Sequence, residues 1–222
     1  MLLSFSHVYY SYPNSGEALK DIDFNISHGE KVALLGLNGS GKSTLMMHSN
    51  GLLLPTKGKV AVNGMSTASK LVKEIRKTIG MVFQNADDQL FMPTVWEDVA
   101  FGPKNMGLDN DEIIARVKEA MEITATTHLA DKSPYALSGG EKKSVSIATV
   151  ISMRPEMLVM DEPTSGLDYQ ATKRFIDLIE SLDQAILIST HDISLAKRLC
   201  NRFLVLDKGR LVYDAAESPE LE

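Results

Sequence analysis

Cysteine occurs once in this 222-residue chain, at Cys200. No intramolecular disulfide can form, and the usage fits a reducing compartment. Aromatic residues are scarce at 6%, with Trp96 the single tryptophan. No apolar run approaches the roughly 18 residues of a bilayer-crossing helix; stretches such as Ala185–Ile188 have the length of a buried strand. The start, Met1 to Phe5, alternates like a strand and lacks the basic flank and apolar centre of a secretory leader. A basic surplus is also missing. Lys and Arg total 23 against 29 acids, a net charge of −6, so no global field attracts nucleic acid. His7, His28, His48 and His128 have no metal-ligand spacing and read as structural or surface residues. These absences describe a cytoplasmic chain. Its length suits one large domain, or one domain with a sizeable insert.

What is present is ordered hydrophobic patterning. Leu3 to Val8 alternates, and Ile22, Phe24 and Ile26 are apolar between polar neighbours, which predicts an antiparallel β layer. Lys31 to Leu35 reads as a strand buried on both faces, followed by a glycine-rich turn and a helix from Ser43 to Asn50. Gly58–Gly64 and Ile79–Phe83 predict further strands. From Asn85 to about Arg154 helical signals dominate. There Asp109 and Asn110 offer an N-cap, before one apolar stripe of Ile113, Ile114, Val117, Ala120 and Met121. Strand character returns at Met157–Met160 and Ala185–Ser189, separated by an amphipathic helix marked by Phe175, Leu178, Ile179 and Leu182. That β-α-β alternation predicts a parallel sheet. Arg202 to Tyr213 reads as a hairpin turned at Lys208-Gly209. The expected fold is α/β, a core with a parallel sheet, an N-terminal antiparallel β layer and an inserted α-helical subdomain. The core and β layer are assigned to residues 1–84 and 157–222, the helical subdomain to 85–156.

Three segments carry chemistry. Gly36-Leu37-Asn38-Gly39-Ser40-Gly41-Lys42-Ser43 matches the phosphate-loop pattern and lies where that loop must, after a strand and before a helix. Its backbone N–H groups and the helix N-terminus would converge on phosphate oxygens. Lys42 would hold the β and γ phosphates, and the Ser43 hydroxyl would ligate Mg²⁺. Met157-Leu158-Val159-Met160-Asp161-Glu162 ends a buried strand in two acids. Asp161 would hold Mg²⁺ directly or through a water, and Glu162 would serve as general base toward the attacking water. Leu137-Ser138-Gly139-Gly140-Glu141 is in part an ordinary capping box, with Ser138 at the N-cap and Glu141 at N3. Capping leaves Gly139 and Gly140 unexplained, because glycine costs helix stability. The pair makes sense if a phosphate must approach the backbone closely.

Three single residues have an ordinary and a functional reading. Gln84 is a polar strand end, or an amide that reaches Mg²⁺ and the attacking water. His191 leads into a helix beside the capping residue Asp192, or contacts a γ-phosphate. Tyr12 is a turn aromatic next to Pro13, or a platform for adenine.

With these residues in place the chain resembles the ATP-binding-cassette ATPases over essentially its whole length. Gly36–Ser43 is similar to the Walker A loop, with Thr44 following it, and Met157–Glu162 to Walker B. Gln84 matches the Q-loop glutamine, Leu137–Glu141 the signature, Ser165-Gly166-Leu167-Asp168 the D-loop, His191 the switch histidine and Tyr12 the aromatic A-loop position. The resemblance implies a P-loop NTPase (RecA-like) core, ATP and Mg²⁺ as ligands, and ATP hydrolysis. It also implies a head-to-tail dimer, homomeric or with a closely related chain, in which each phosphate loop faces the partner's Ser138-Gly139-Gly140. In transporters, dimer closure is passed to a membrane subunit docked beside the Q-loop, here about residues 84 to 102.

Val82-Phe83-Gln84-Asn85-Ala86-Asp87-Asp88-Gln89-Leu90-Phe91 and Thr94 to Pro103 resemble energy-coupling-factor importers, nearest their cobalt/nickel subgroup; Asn50-Gly51-Leu52 agrees. Vitamin importers, biotin included, share much of this pattern. Glu141 replaces the commoner signature Gln and Ser144 a usual Arg. Ala86 and Trp96 stand where the subgroup often has Pro and an acid. The resemblance therefore implies a peripheral ATPase on the cytoplasmic face of the cell membrane, partnered by an integral coupling subunit and a substrate-binding membrane subunit. The alternative is the ATPase of a transporter for a vitamin such as biotin or another small solute, and a more distant one is a cassette ATPase acting on nucleic acid or the ribosome. Such proteins carry long coiled coils, paired cassettes or basic arms, and none is visible; no nucleic-acid partner is expected.

Overall fold

The computed structural model describes residues 1–13 and 16–219. Along the chain come β1 (Leu3–Ser11), β2 (Glu17–Ile26), β3 (Lys31–Leu35), α1 (Lys42–Ser49), β4 (Lys57–Val62), β5 (Met65–Ser66) and α2 (Val72–Thr78). Next are β6 (Ile79–Val82), α3 (Val95–Asn105), α4 (Asn110–Ile123) and α5 (Gly139–Ile151). The last part holds β7 (Met157–Asp161), α6 (Tyr169–Ser181), β8 (Ala185–Ser189), α7 (Ile193–Leu199), β9 (Arg202–Asp207) and β10 (Arg210–Ala215). These elements form two compact units, Met1–Ile79 with Glu156–Asp161 and Asp183 onward, and Gly80–Pro155 with Glu162–Leu182.

The first unit contains two sheets. In the antiparallel one, ordered β2-β1-β4-β5, Phe5 lies opposite Phe24 and Val60, and the two Phe rings stack at 4.7 Å. Strict alternation from Phe5 would bury His7. Instead His7 adopts φ 47 and the register shifts between Phe5 and Val8, so that Val8 is buried and His7 stays exposed. A bulge of this kind re-aims the strand without breaking it.

The strands that this unit contributes to the second sheet run in the order β10-β9-β3-β8-β7. Strand β3 runs parallel to both β8 and β9, β7 parallel to β8, and β10 closes the edge as the antiparallel arm of the expected hairpin. Every residue of β7 and β8 is buried, which is why they read as unbroken apolar runs. The register sets Leu34 and Asp161 on either side of Ser189. The polar residues that follow three buried strands are thereby gathered along one carboxyl edge, where parallel sheets bind ligands. Cys200 is buried at the other end of the sheet, just before β9, and its thiol is pushed up to about 12 by desolvation, so it is an inert packing residue.

The second unit is mainly helical. Val99 of α3, Val117 and Met121 of α4, and Val145 and Ala148 of α5 meet in one core. Burying an aliphatic side chain of this size contributes about 1.5–3 kcal/mol. Asp109 caps α4 by accepting from Glu112 N at 2.9 Å. The expected stripe is narrower than its sequence pattern: Ile113, Val117, Ala120 and Met121 are buried, but Ile114 is 42% exposed. In α6 the buried face is Phe175, Leu178 and Ile179; Leu182 is the C-cap, outside the helix. No helix among the described residues is long and apolar enough to cross a membrane.

Candidate functional site

In the first unit the phosphate loop spans from the end of β3 to the start of α1. Two of its glycines are required by the loop's own packing. A Cβ on Gly36 would lie 2.2 Å from the Leu206 carbonyl oxygen, and one on Gly41 2.8 Å from that of Ala18; both have positive φ, 146 and 109. The loop is thus pressed against β9 and β2, its backbone fixed by neighbours that no side chain could clear. Lys42 is 8% exposed, and its Nζ donates to the carbonyls of Gly36 (2.7 Å) and Leu37 (3.2 Å). The Ser40 hydroxyl is buried without a hydrogen-bond partner. An orphaned hydroxyl inside such a loop fits a phosphate oxygen, which would end its desolvation cost. Asn38 and Gly39 are exposed at the loop's outer side, and Ser43 is half-buried at the first turn of α1.

Asp161, 5% exposed, accepts a short hydrogen bond from the Ser189 hydroxyl. That bond orients a buried carboxylate at the carboxyl edge of the sheet. His191, exposed beyond β8, lines a cleft of 370 Å³ together with Gly36, Leu37 and Thr190. Tyr12 shares a hydrogen bond with Thr44 at 3.1 Å, which ties the expected aromatic platform to α1. Phosphate loop, carboxylate, histidine and tyrosine all lie on the first unit.

The second unit carries the remaining residues. Ser138 caps α5 by accepting from Glu141 N, while Glu141 Oε2 accepts from both the Ser138 N–H and hydroxyl at 2.8 Å. The Ser138 backbone donor, then its hydroxyl, hold the Glu141 carboxyl below the usual range. Glu141 is thus bent back onto its own helix, as the capping pattern predicts. Ser138 and Gly139 are exposed, and a Cβ on Gly139 would meet nothing within 4 Å. Gly140 has only ordinary contacts, at 3.8 Å and beyond. Among the described residues, none lies close enough to require glycine at 139. Glu162 opens the turn after β7 with φ 44, a left-handed conformation that costs a non-glycine residue about 1–2 kcal/mol. Its side chain is nonetheless buried, at 8% exposure.

Gln84 is exposed, and the segment that carries it is gripped by residues the sequence did not single out. Lys143 of α5, 3% exposed, donates to the carbonyls of Phe83 (3.0 Å) and Gln84 (2.7 Å). Gln89 accepts from Phe83 N at 3.1 Å and donates to Ser146 O at 2.7 Å and the Thr149 hydroxyl at 2.8 Å. One signal was available: Lys143 falls in register with the buried Ile147 and Val150, at i+4 and i+7, where a lysine needs a partner. Lys143→Met is expected to lose about 1–3 kcal/mol in denaturant unfolding, because both carbonyls lose their donor. Further along, Asp98 fixes the loop before α3 by accepting from Phe91 N and Met92 N at 3.1 Å; burial raises its carboxyl above the usual range. Phe91 and Phe101 remain 55% and 42% exposed and pack edge to face, 4.9 Å between centroids.

Comparison with known proteins agrees with this geometry. The sequence profile of the ABC transporter family matches residues 19–165. A putative ABC transporter ATP-binding protein of Geobacter sulfurreducens is 49% identical over 92% of this chain and 82% of its own length. The energy-coupling factor transporter ATP-binding protein EcfA of Methanocaldococcus jannaschii is 46% identical over 92% of this chain and 75% of its own. Among solved structures, cbiO1 of Clostridium perfringens, described as part of the ABC transporter complex cbiONQ, superposes with a TM-score of 0.84. It is 39% identical and matches over 97% of this chain and 88% of that one. A bacterial ABC transporter cassette described as dimeric reaches a TM-score of 0.87 at 28% identity, over 96% and 97% of the two chains. A family match across most of the sequence, on a fold that supplies a packed phosphate loop and a sheet-edge carboxylate, places this protein: it belongs to the ABC transporter family, as one of its ATPases.

Proposed function

We propose that this chain is the nucleotide-binding subunit of an energy-coupling-factor-type importer, with cobalt or nickel ions as its cargo. It would sit peripherally on the cytoplasmic face of the membrane, as a homodimer or paired with a close relative. Its membrane partners would be a coupling subunit and a substrate-binding subunit. The observation that carries the reading is the exposed Phe91–Phe101 pair in the segment after Gln84, an apolar surface held in place by Asp98 and suited to a membrane subunit's short helix. Identity to relatives named EcfA and to cbiO1 supports the importer type. The cobalt/nickel subgroup pattern in the same segment supports the cargo.

In this reading the β and γ phosphates take the place of the Gly36 and Leu37 carbonyls as partners of Lys42, and the Ser40 hydroxyl and loop N–H groups donate to phosphate oxygens. Ser43, Gln84 and Asp161 offer the hard oxygen donors that Mg²⁺ prefers, and the ion would supply charge neutralisation at the phosphates. Glu162 accepts the proton of the attacking water. His191 contacts the γ-phosphate, and Tyr12 stacks on adenine. Ser138, Gly139 and Gly140 serve the ATP of the partner subunit, which explains a glycine at 139 where a Cβ would meet none of the described residues within 4 Å. Helical residues 85–156 act as the subdomain that transmits closure to the membrane.

The test is purification of the complex from membranes, identification of its integral subunits, and uptake assays with Co²⁺, Ni²⁺ and biotin. Metal uptake that depends on this chain supports the proposal. Biotin uptake alone would overturn the cargo, and absence of any integral membrane partner would overturn the importer reading.

A further inference from the structure

Tyr12 is not a lone ring on the surface. Tyr10 packs against it edge to face, at 4.9 Å between centroids and 84° between planes. On its other side Tyr10 meets the His48 ring at 4.7 Å and 76°. His48 has no exposed surface, although it belongs to α1, the helix that begins at Lys42. Its Nδ1 lies 2.7 Å from the Thr44 carbonyl oxygen, and the Thr44 hydroxyl in turn shares the hydrogen bond with Tyr12. A closed circuit results: Tyr12 to Tyr10 to His48 to Thr44 and back to Tyr12. Tyr12 itself is 37% exposed, so its ring is held from behind yet open to a ligand.

Packing alone asks for little of this. A histidine is a costly choice for a site without solvent, where leucine would fill the space. Burial lowers the His48 pKa, so its ring is neutral and offers flat edges and faces to the tyrosine. An exposed aromatic that must stack on a base loses rotamer freedom on binding, and fixing it beforehand removes that cost.

We infer that Tyr10 and His48 are positioning residues that pre-set the Tyr12 ring for the nucleotide base, and that Thr44 couples this platform to the phosphate-loop helix. The inference rests on the reading of Tyr12 as the base platform. Tyr10 and His48 touch no nucleotide. Their effect is confined to recognition of the base and leaves recognition of the phosphates alone.

The experiment measures equilibrium binding of ATP and of inorganic tripolyphosphate to the purified chain and to its Tyr12→Ala, Tyr10→Leu, Tyr10→Phe and His48→Leu variants. Tyr12→Ala is expected to weaken ATP by about 5- to 100-fold, the range of base–aromatic stacking, with tripolyphosphate unchanged. Tyr10→Leu and His48→Leu are expected to weaken ATP about 3- to 10-fold, again without moving tripolyphosphate. Tyr10→Phe, which keeps the edge contact, should bind as the parent does. In the Tyr12→Ala background Tyr10→Leu should add nothing, since coupled residues are not additive. If Tyr12→Ala loses ATP affinity while Tyr10→Leu does not, the positioning role is refuted and the platform stands. An unaffected Tyr12→Ala refutes the platform itself. Should His48→Leu fail to fold, Tyr10→Leu decides alone.

Discussion

Glu162→Gln is expected to bind ATP as the parent chain does and to lose turnover by about 10²- to 10⁴-fold, the contribution of a positioned general base. The two side chains have nearly the same shape, so the buried position after β7 and the left-handed backbone at φ 44 accept either one equally. What changes is chemistry. A carboxylate can take a proton from water attacking the γ-phosphorus, and an amide cannot. The nucleotide should then remain enclosed, and the ATP-bound dimer should accumulate. Phosphate release measures the rate, and size-exclusion chromatography with and without ATP measures the dimer. A near-normal rate would remove Glu162 from the role of base.

The second large effect is expected at Gly139, with opposite signs within and between subunits. Gly139→Asp adds a carboxylate to the first turn of α5, where nothing lies within 4 Å of the new Cβ and the helix N-terminus favours negative charge. The isolated chain should therefore unfold at an unchanged or slightly higher temperature, and monomeric nucleotide binding should persist. In the proposed head-to-tail dimer, the same carboxylate would face the partner's γ-phosphate as a like charge at close range, a juxtaposition that costs several kcal/mol. ATP-dependent dimerisation should disappear and ATPase activity fall by about 100-fold or more. Loss of thermal stability in step with activity would show that Gly139 is needed by its own helix after all.

Much of the frame behind these expectations was legible in the sequence. Strands β7 and β8 were readable because burial on both faces leaves no polar interruption, and the phosphate loop because its glycines answer to a spacing. Other features left weaker traces. Helix α2 buries only Ile75, so no apolar stripe announced it. Ile114 shares the hydrophobicity of its neighbours but not their direction, and composition alone does not distinguish them. The His7 bulge is a backbone event that changes register without a diagnostic residue. Ser189 and Lys143 act through partners 28 and 59 or 60 residues away in the chain, at Asp161 and at Gln84 and Phe83. No local pattern records such pairs. Gly139 shows the reverse case: sequence raises the question of why glycine is there, and among the described residues no neighbour lies close enough to supply the reason.

The lodging of Lys42 against the Gly36 and Leu37 carbonyls has a further consequence. Its ammonium has already left bulk water and already has oxygen partners, so an arriving triphosphate meets a charge whose dehydration was settled when the chain folded. Nucleotide capture at this loop is therefore an exchange of one set of oxygens for another. Free phosphate or pyrophosphate can offer the same oxygens, and both should compete for the loop even without a base. The phosphates' share of ATP affinity is then set by how far they outbid two neutral carbonyls, and a chain lacking the lysine forfeits the loop's shape along with its charge.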